Sequence, residues 1–483
     1  MKIIIIGNGI VALTAAYELV SQKNNAEVVI LGKGNRLGSG SLAAGAMLNS
    51  FAEVDSETFS SQIERYRFHM SREAAEMWPN FFESVYKNYL DTGGKSESTL
   101  DACFFGKNKN KFTLIVNGHL ANDFDDENFD CIKAALDKYR QNYEIVDPRG
   151  AEGYLPSQRY RASRAIKMFD EGWTSPSKFL GMLEDVLKNH PRIKFVDVNV
   201  NKILVDGDLI SGVELDDFQK LSGDSYLLAN GASFTELFDR SGIKFEGPQI
   251  FYGIGTSLEV KPEVGHSHPN CIRTPNRGLA CGTYTVPQGV NDEDGSHRVL
   301  LGATNYVSHK PIYNSRVNNV YSIFRNVVHE ISGKFEKAEI TKINLGWRPI
   351  SSDTYPLIGN STQYKNLCIC TGTKRDGWHL SPYLSKVIAM SIYENRVPET
   401  VKQFSPNRKL IYGVTREHAI RKSVKHLVSA AYQHEYNPSN LNMDNDLSTF
   451  YYDQISRLHD AAGAVDWGIP VDLIGMYKYG HVK

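Results

Sequence analysis

Paired cysteines are missing from this 483-residue sequence: Cys103, Cys131, Cys271, Cys281, Cys368 and Cys370 are scattered, with no CxxC pair and no zinc-like spacing. That excludes a disulfide framework and a cysteine-rich metal site, and no metal is expected; reduced, mostly structural thiols fit a cytoplasmic location. Charge of one sign is also lacking, since 54 Lys+Arg stand against 55 Asp+Glu for a net charge of −1. A nucleic-acid partner is therefore not expected, because neutralising phosphates requires an excess of basic residues on one face. No run of about 18 apolar residues occurs, so no membrane span is expected. The apolar start, Ile3 to Ile6 before Gly7, is too short for a signal peptide.

What is present reads as an α/β protein of two or three domains. The apolar run 2–6 suits a parallel strand buried on both faces. Ile10, Leu13, Ala16, Tyr17 and Val20 follow at helical spacing, and 27–31 is a second strand, so 1–31 forms a βαβ unit. Helices are expected over 57–90, 176–189, 318–335 and 382–395. Strands are expected over 112–116, 193–215 (a hairpin turning at Asp206-Gly207), 226–229, 366–371 and 409–414. Residues 91–150 suggest a peripheral layer, and 250–305 an antiparallel sheet.

Gly7-Asn8-Gly9-Ile10-Val11-Ala12 fits G-x-G-x-x-G/A between the first strand and helix. Gly7 permits the tight turn and Gly9 the approach of a pyrophosphate. Ala12 allows close helix–strand packing, and Ile10 opens the helix whose N-terminus favours phosphate. One part is absent. The second strand ends Leu31-Gly32-Lys33, with no acid for the adenosine ribose, and Lys33 and Arg36 would suit a 2′-phosphate less well than the rest of the sequence suits FAD.

Several separated segments carry a resemblance. They are the fingerprint, the small-residue loop Gly38-Ser39-Gly40-Ser41-Leu42-Ala43-Ala44-Gly45-Ala46-Met47, Asp170-Glu171-Gly172 with Pro176, and Tyr226 to Ala232. Leu345-Gly346-Trp347-Arg348-Pro349, Pro356 to Gly359, Thr371 to Pro382 and Phe404-Ser405-Pro406-Asn407-Arg408 complete the set. Together they resemble the glycine oxidase, sarcosine oxidase and D-amino-acid oxidase family of flavoproteins over about residues 1–410. The resemblance implies a Rossmann-type FAD-binding domain interleaved with an antiparallel-sheet (α+β) substrate domain. The expected division is 1–90, 151–245 and 341–414 for the FAD-binding domain, and 91–150 and 246–340 for the substrate domain. It further implies cofactor contacts from Gly7, Gly9, Ile10, Ala12, Lys33, Ser39, Ser41, Ala44, Gly45, Met47, Val200, Gly231, Arg348, Gly372, Arg375, Asp376, Gly377 and Trp378. Residues 349–367 contain no cysteine for the sarcosine-oxidase type of attachment, so the FAD is expected to be non-covalent.

The implied activity is oxidation of the C–N bond of an amino acid or secondary amine to an imine, by hydride transfer to flavin, with O2 or another acceptor restoring it. Arg348 and Arg375 are the expected carboxylate anchors, because Arg binds a carboxylate bidentately and stays charged. Tyr252, Tyr284, Tyr306, His309 and His379 are further pocket candidates, with Tyr252 and His379 leading. Pro248 to Gly253 departs from the family's P-x-R/K-G-Q turn, placing aromatics where a basic residue is usual. Two other readings stay open: a flavin dehydrogenase or tailoring enzyme on a larger amine-bearing metabolite, and a non-catalytic flavin-binding partner protein. Residues 415–483 match nothing in the family pattern. They are expected to form a helical extension, with Thr415 capping one helix and a second near 446–462. The extension is read as packing on the chain's own core, as a subunit interface giving a homo-oligomer, or as a lid.

Overall fold

The structure, a computed structural model, describes residues 1–22, 25–94, 103, 111–117, 124–276, 282–434, 436 and 438–482; Cys281 and part of the 91–150 segment lie outside them. β1 (Lys2–Ile6), α1 (Ile10–Ser21) and β2 (Glu27–Leu31) open the chain. β1 and β2 pair in parallel within a six-stranded sheet that also holds Ile193–Val196, Ser225–Leu228, Leu367–Thr371 and an antiparallel edge strand, Leu357–Asn360. Both faces are covered, which is why its central strands are predominantly apolar and buried. Ile3, Ile5, Val28 and Ile30 enter one buried cluster with Leu13, Phe179 and Leu384. Ile4, Ile6, Val29 and Leu31 enter another with Tyr226 and Phe234. Helices α1, Pro176–Lys188, Gln62–Asp91 and Ser381–Glu394 lie together on the first face.

The second large sheet is mostly antiparallel and runs through 306–308, 250–261, 297–302, 284–290, 271–273, 113–116, 165–168 and 143–146. Its longest partnership joins Ile250–Lys261 to Glu339–Ser351, setting Arg348 opposite Gly253 and Trp347 opposite Ile254.

Three expectations need correction. Thr113–Val116 is no peripheral strand: all four residues are buried, and it pairs on both sides, with Cys271–Arg273 and Ala165–Met168. Residues 409–414 form no strand. The helix expected over 318–335 is α-helical only across Val317–Asn326 and then passes into a π-turn at Val327–Ile331 and a 3-10 turn at Gly333–Lys337.

The C-terminal extension contains helices Arg416–Gln433, Leu441–Ala461 and Ile474–Lys478, and Thr415 does cap the first, accepting from the His418 amide at 3.4 Å. Its inner side packs on the chain itself. Leu473 and Met476 are buried with Phe251 and Ile350 of the second sheet. Lys422 pairs with Asp55 at 3.2 Å and with Glu57. Among the described residues no helix is long and apolar enough to cross a membrane. Cys271, Cys368 and Cys370 are buried, and burial pushes the Cys368 thiol up to about 12.

Candidate active site

The turn from β1 into α1 tolerates only glycine at its first position. Gly7 has φ +121°, and a Cβ there would lie 2.3 Å from the Ala229 carbonyl oxygen. Gly9 starts α1, where Ser41 Oγ accepts from the Ile10 amide at 3.0 Å. Ala12, on the inner face of α1, is fully buried and is not among the residues lining the cavity described below, in keeping with a packing role. The missing ribose acid has a steric counterpart: a Cβ on Gly32 would lie 2.6 Å from Asn8 Cγ, and Asn8 Nδ2 donates to the Lys33 carbonyl at 2.9 Å. Nearby cations are engaged. Lys33 pairs with Asp216 at 3.3 Å and Arg36 with Glu184 at 2.6 Å, which weighs against their receiving a 2′-phosphate.

The loop after β2 is rich in small residues because it is pressed against the Glu339–Ser351 strand. Gly38 has φ +69°, and a Cβ there would fall within 2.3 Å of the Trp347 ring; one on Gly40 would meet the Trp347 carbonyl at 3.0 Å. The Trp347 amide donates to the Gly38 carbonyl at 2.9 Å. The same strand is tied to the Gly-rich turn before the Ser381–Glu394 helix, since the Lys374 amide donates to the Pro349 carbonyl at 2.8 Å. Backbone bonds thus assemble three segments far apart in sequence around one cavity.

That cavity has a volume of about 610 Å³, within the size range of ligand sites, roughly 300–1,000 Å³. Of the expected cofactor residues, Gly7, Gly9, Ile10, Lys33, Ser39, Ser41, Ala44, Gly45, Met47, Val200, Gly231, Arg348, Arg375, Asp376, Gly377 and Trp378 line it. Gly372 instead lines an adjoining cavity of about 230 Å³, which shares Asn49, Glu53, Thr373, Lys374, Arg375 and Asp376 with the first and is walled on its far side by the extension.

The two arginines differ in electrostatic setting. Arg348 Nη1 donates to the Thr304 carbonyl and to Asn305 Oδ1, each at 3.1 Å, and its guanidinium lies over Gly255, whose Cβ it would exclude. Among the described residues no carboxylate forms an ion pair with it. Arg375 lies within electrostatic reach of two carboxylates that pair directly with other cations. Burial would raise both, but Arg273 and then Arg375 hold Glu53 at about 2, and Lys374 and then Arg375 hold Asp472 at about 2.

His379 lines the first cavity. Its Nε2 faces the Ser71 carbonyl at 2.8 Å, so that nitrogen carries the proton, leaving the buried Nδ1 as an acceptor without a partner among the described residues. Burial keeps the ring below its ordinary pKa, hence neutral. Tyr252 does not reach the cavity: it is buried, and its hydroxyl donates at 2.6 Å to Glu236, which does. Tyr306 and His309 are also away from it. An arginine, Arg316, lies over the Tyr306 ring at 4.5 Å, and His309 stacks on His481 at 3.8 Å. Tyr284 lines the cavity, packed against Gly45 and Gly302.

Residue types alone did not single out Glu53, Asn49, Arg273 or Asp472. Glu53 pairs with fully buried Arg273 at 2.6 Å. Glu171, noted only as part of a motif, accepts from the backbone amides of Ser50, at 2.6 Å, Phe51 and Ala52, and so fixes the loop that carries Asn49 and Glu53 to the cavity. Burial pushes its carboxyl up to about 7 against those bonds.

Comparison with known proteins follows the same lines. The sequence matches the model of the FAD dependent oxidoreductase family, DAO, over residues 2–390. No curated protein matches it in sequence. Among solved structures, glycine oxidase from Geobacillus kaustophilus superposes with a TM-score of 0.67 at 16% identity, covering 85% of this chain and 100% of that one. Iminodiacetate oxidase from Chelativorans sp. BNC1 gives 0.63 at 17% identity, over 84% and 98%. L-proline dehydrogenase from P. horikoshii gives 0.60 at 17%, over 84% and 97%.

Proposed function

The chain belongs to the DAO family of FAD-dependent oxidoreductases, and from that premise we propose that it oxidises the C–N bond of a small amino acid or secondary amine to an imine, with O2 or another acceptor completing the cycle. The residues present fit the cofactor. Glycines and small residues leave the pyrophosphate turn and the 38–45 loop open, and the buried His379 Nδ1 and Asn230 Oδ1, both on residues lining the cavity, have no partner among the described residues. Gly7, Gly9 and Ile10 would hold the pyrophosphate, and the 373–378 turn the ring end. When bound, FAD supplies the two-electron acceptor that the side chains cannot.

The observation that carries the proposal is the Arg348 guanidinium, held by two neutral oxygens on the wall of a cavity that the dinucleotide turn also lines. Its charge is available for a substrate carboxylate, whereas Arg375 already faces the field of Glu53 and Asp472, which it shares with Arg273 and Lys374. Arg348 therefore binds and orients the substrate, Tyr284, Tyr313 and Trp347 wall it, and His379 offers a neutral acceptor. Orientation of this kind, rather than a strong base, is what the chain contributes.

A panel of amino acids and N-methylamines mixed anaerobically with the purified yellow protein should bleach the flavin absorbance; bleaching by none of them would refute the proposal. Arg348→Ala should raise KM about 100-fold with flavin content unchanged, as expected for losing a charge-assisted bidentate contact. The adjoining cavity supports a second reading, a larger amine-bearing metabolite reaching past Arg375. Bleaching only by substrates with an extended polar tail would select it.

A further inference from the structure

One buried carboxylate of the extension, Asp472, lies outside the residues 2–390 that match the family. Asp472 sits on the 3-10 turn Val471–Leu473 with its side chain only 10% exposed. Its Oδ2 meets Lys374 Nζ at 2.5 Å, and its Oδ1 accepts from Asn305 Nδ2 at 3.4 Å. Asn305 in turn accepts from Arg348 Nη1 at 3.1 Å. An amide that donates from nitrogen to a carboxylate presents its oxygen in the opposite direction. Asp472 therefore fixes which way round Asn305 stands, and with it the acceptor that holds Arg348.

The carboxylate is itself held in place. Leu473, the next residue, is fully buried against Phe251 and Ile350, which neighbour Tyr252 and Pro349 on the two paired strands. The His309–His481 stack gives the extension a further contact with the rest of the chain. Lys374, the other partner of Asp472, is bonded through its backbone to Pro349, the residue after Arg348. One carboxylate thus touches the residue before Arg375 and the side chain that accepts from Arg348.

We propose that Asp472 is a positioning residue of the active site: through Asn305 and Lys374 it orients Arg348 and the 373–376 turn, so that the extension completes the substrate site rather than only covering it. The proposal rests on the reading of Arg348 as the carboxylate anchor. It assigns to residues 415–483 a share in substrate affinity, with no contact to substrate and no part in electron transfer.

The test uses the full-length holoprotein. Asp472→Asn should raise KM for the bleaching amine, and weaken acetate binding followed by the flavin spectrum, about tenfold, with kcat within about twofold and flavin content unchanged. Asp472→Glu should recover most of the loss. Asn305→Ala keeps the Lys374 ion pair and hence the docked extension; it should raise KM similarly, and the double variant should fall short of the product of the two single effects, because Asn305 lies on one of the two routes by which Asp472 acts. A KM unchanged in Asp472→Asn or in Asn305→Ala overturns the proposal, as does additivity in the double variant. If Asp472→Asn fails to fold, Asn305→Ala alone decides. Arg348→Ala separates the two claims: a raised KM there with none in the Asn305 and Asp472 variants refutes the positioning role and leaves the anchor intact, whereas an unchanged KM there refutes the anchor.

Discussion

At Gly32 a single missing side chain has a local cause. The acid that commonly meets the adenosine ribose is absent, and Asn8 occupies the space its Cβ would need. Restoring the acid by Gly32→Asp should therefore lower flavin content, because overpacking of this sort costs about 1–3 kcal/mol. Adding Asn8→Ala should recover it, and the ratio of flavin to protein absorbance reads both outcomes. The pattern of glycines was legible as a fingerprint; the Asn8–Gly32 exchange was not, since nothing in Leu31-Gly32-Lys33 reveals which side chain fills the gap. Arg348 and Arg375 were legible as a pair but not as unequal members, because their difference depends on Glu53 and Asp472, which are distant in sequence from Arg375.

Among the elements, the loop at residues 50–52 depends on Glu171. The ordinary carboxyl value of 4.5 is raised to about 7 by burial, so the folded chain holds that proton more tightly than the unfolded one. The stability this provides is complete below pH 4.5 and is lost as pH rises through about 7, amounting to about 3 kcal/mol. Melting temperature should accordingly fall between pH 5 and pH 8, and Glu171→Gln should flatten that fall; an identical slope in both proteins would remove Glu171 as its source. The regular elements with local signals, such as β1, α1, β2 and the helix Pro176–Lys188, lie close to where apolar periodicity predicts them. A local signal does not always decide the outcome. The 409–414 stretch looks like a strand, yet the Ile411 amide donates to Asp353 at 2.9 Å instead of to a neighbouring strand.

For the whole molecule, the extension is an integral layer. Removing everything after Val414 would uncover Phe251 and Ile350 and delete Leu473 and Met476, worth about 5 kcal/mol of apolar burial. It would also leave Lys374 and Arg375 without Asp472. The truncated chain should lose flavin and precipitate or melt well below the parent, as judged by thermal denaturation; a stable yellow protein of normal KM would show the layer to be dispensable. No periodicity announces this layer's contribution, because one aspartate and two apolar residues on short turns read like any surface segment. Their partners are set by tertiary packing alone.

The Lys374–Asp472 pair has a further consequence in time. Its members are 98 residues apart, so on a ribosome adding about 5–20 residues per second the lysine waits roughly 5–20 s for its counter-charge to be made. Until then Lys374 keeps its water, since burying an unpaired cation is far more costly than leaving it hydrated. The order of synthesis thus places this contact after every strand of the six-stranded sheet, the last of which is Leu367–Thr371.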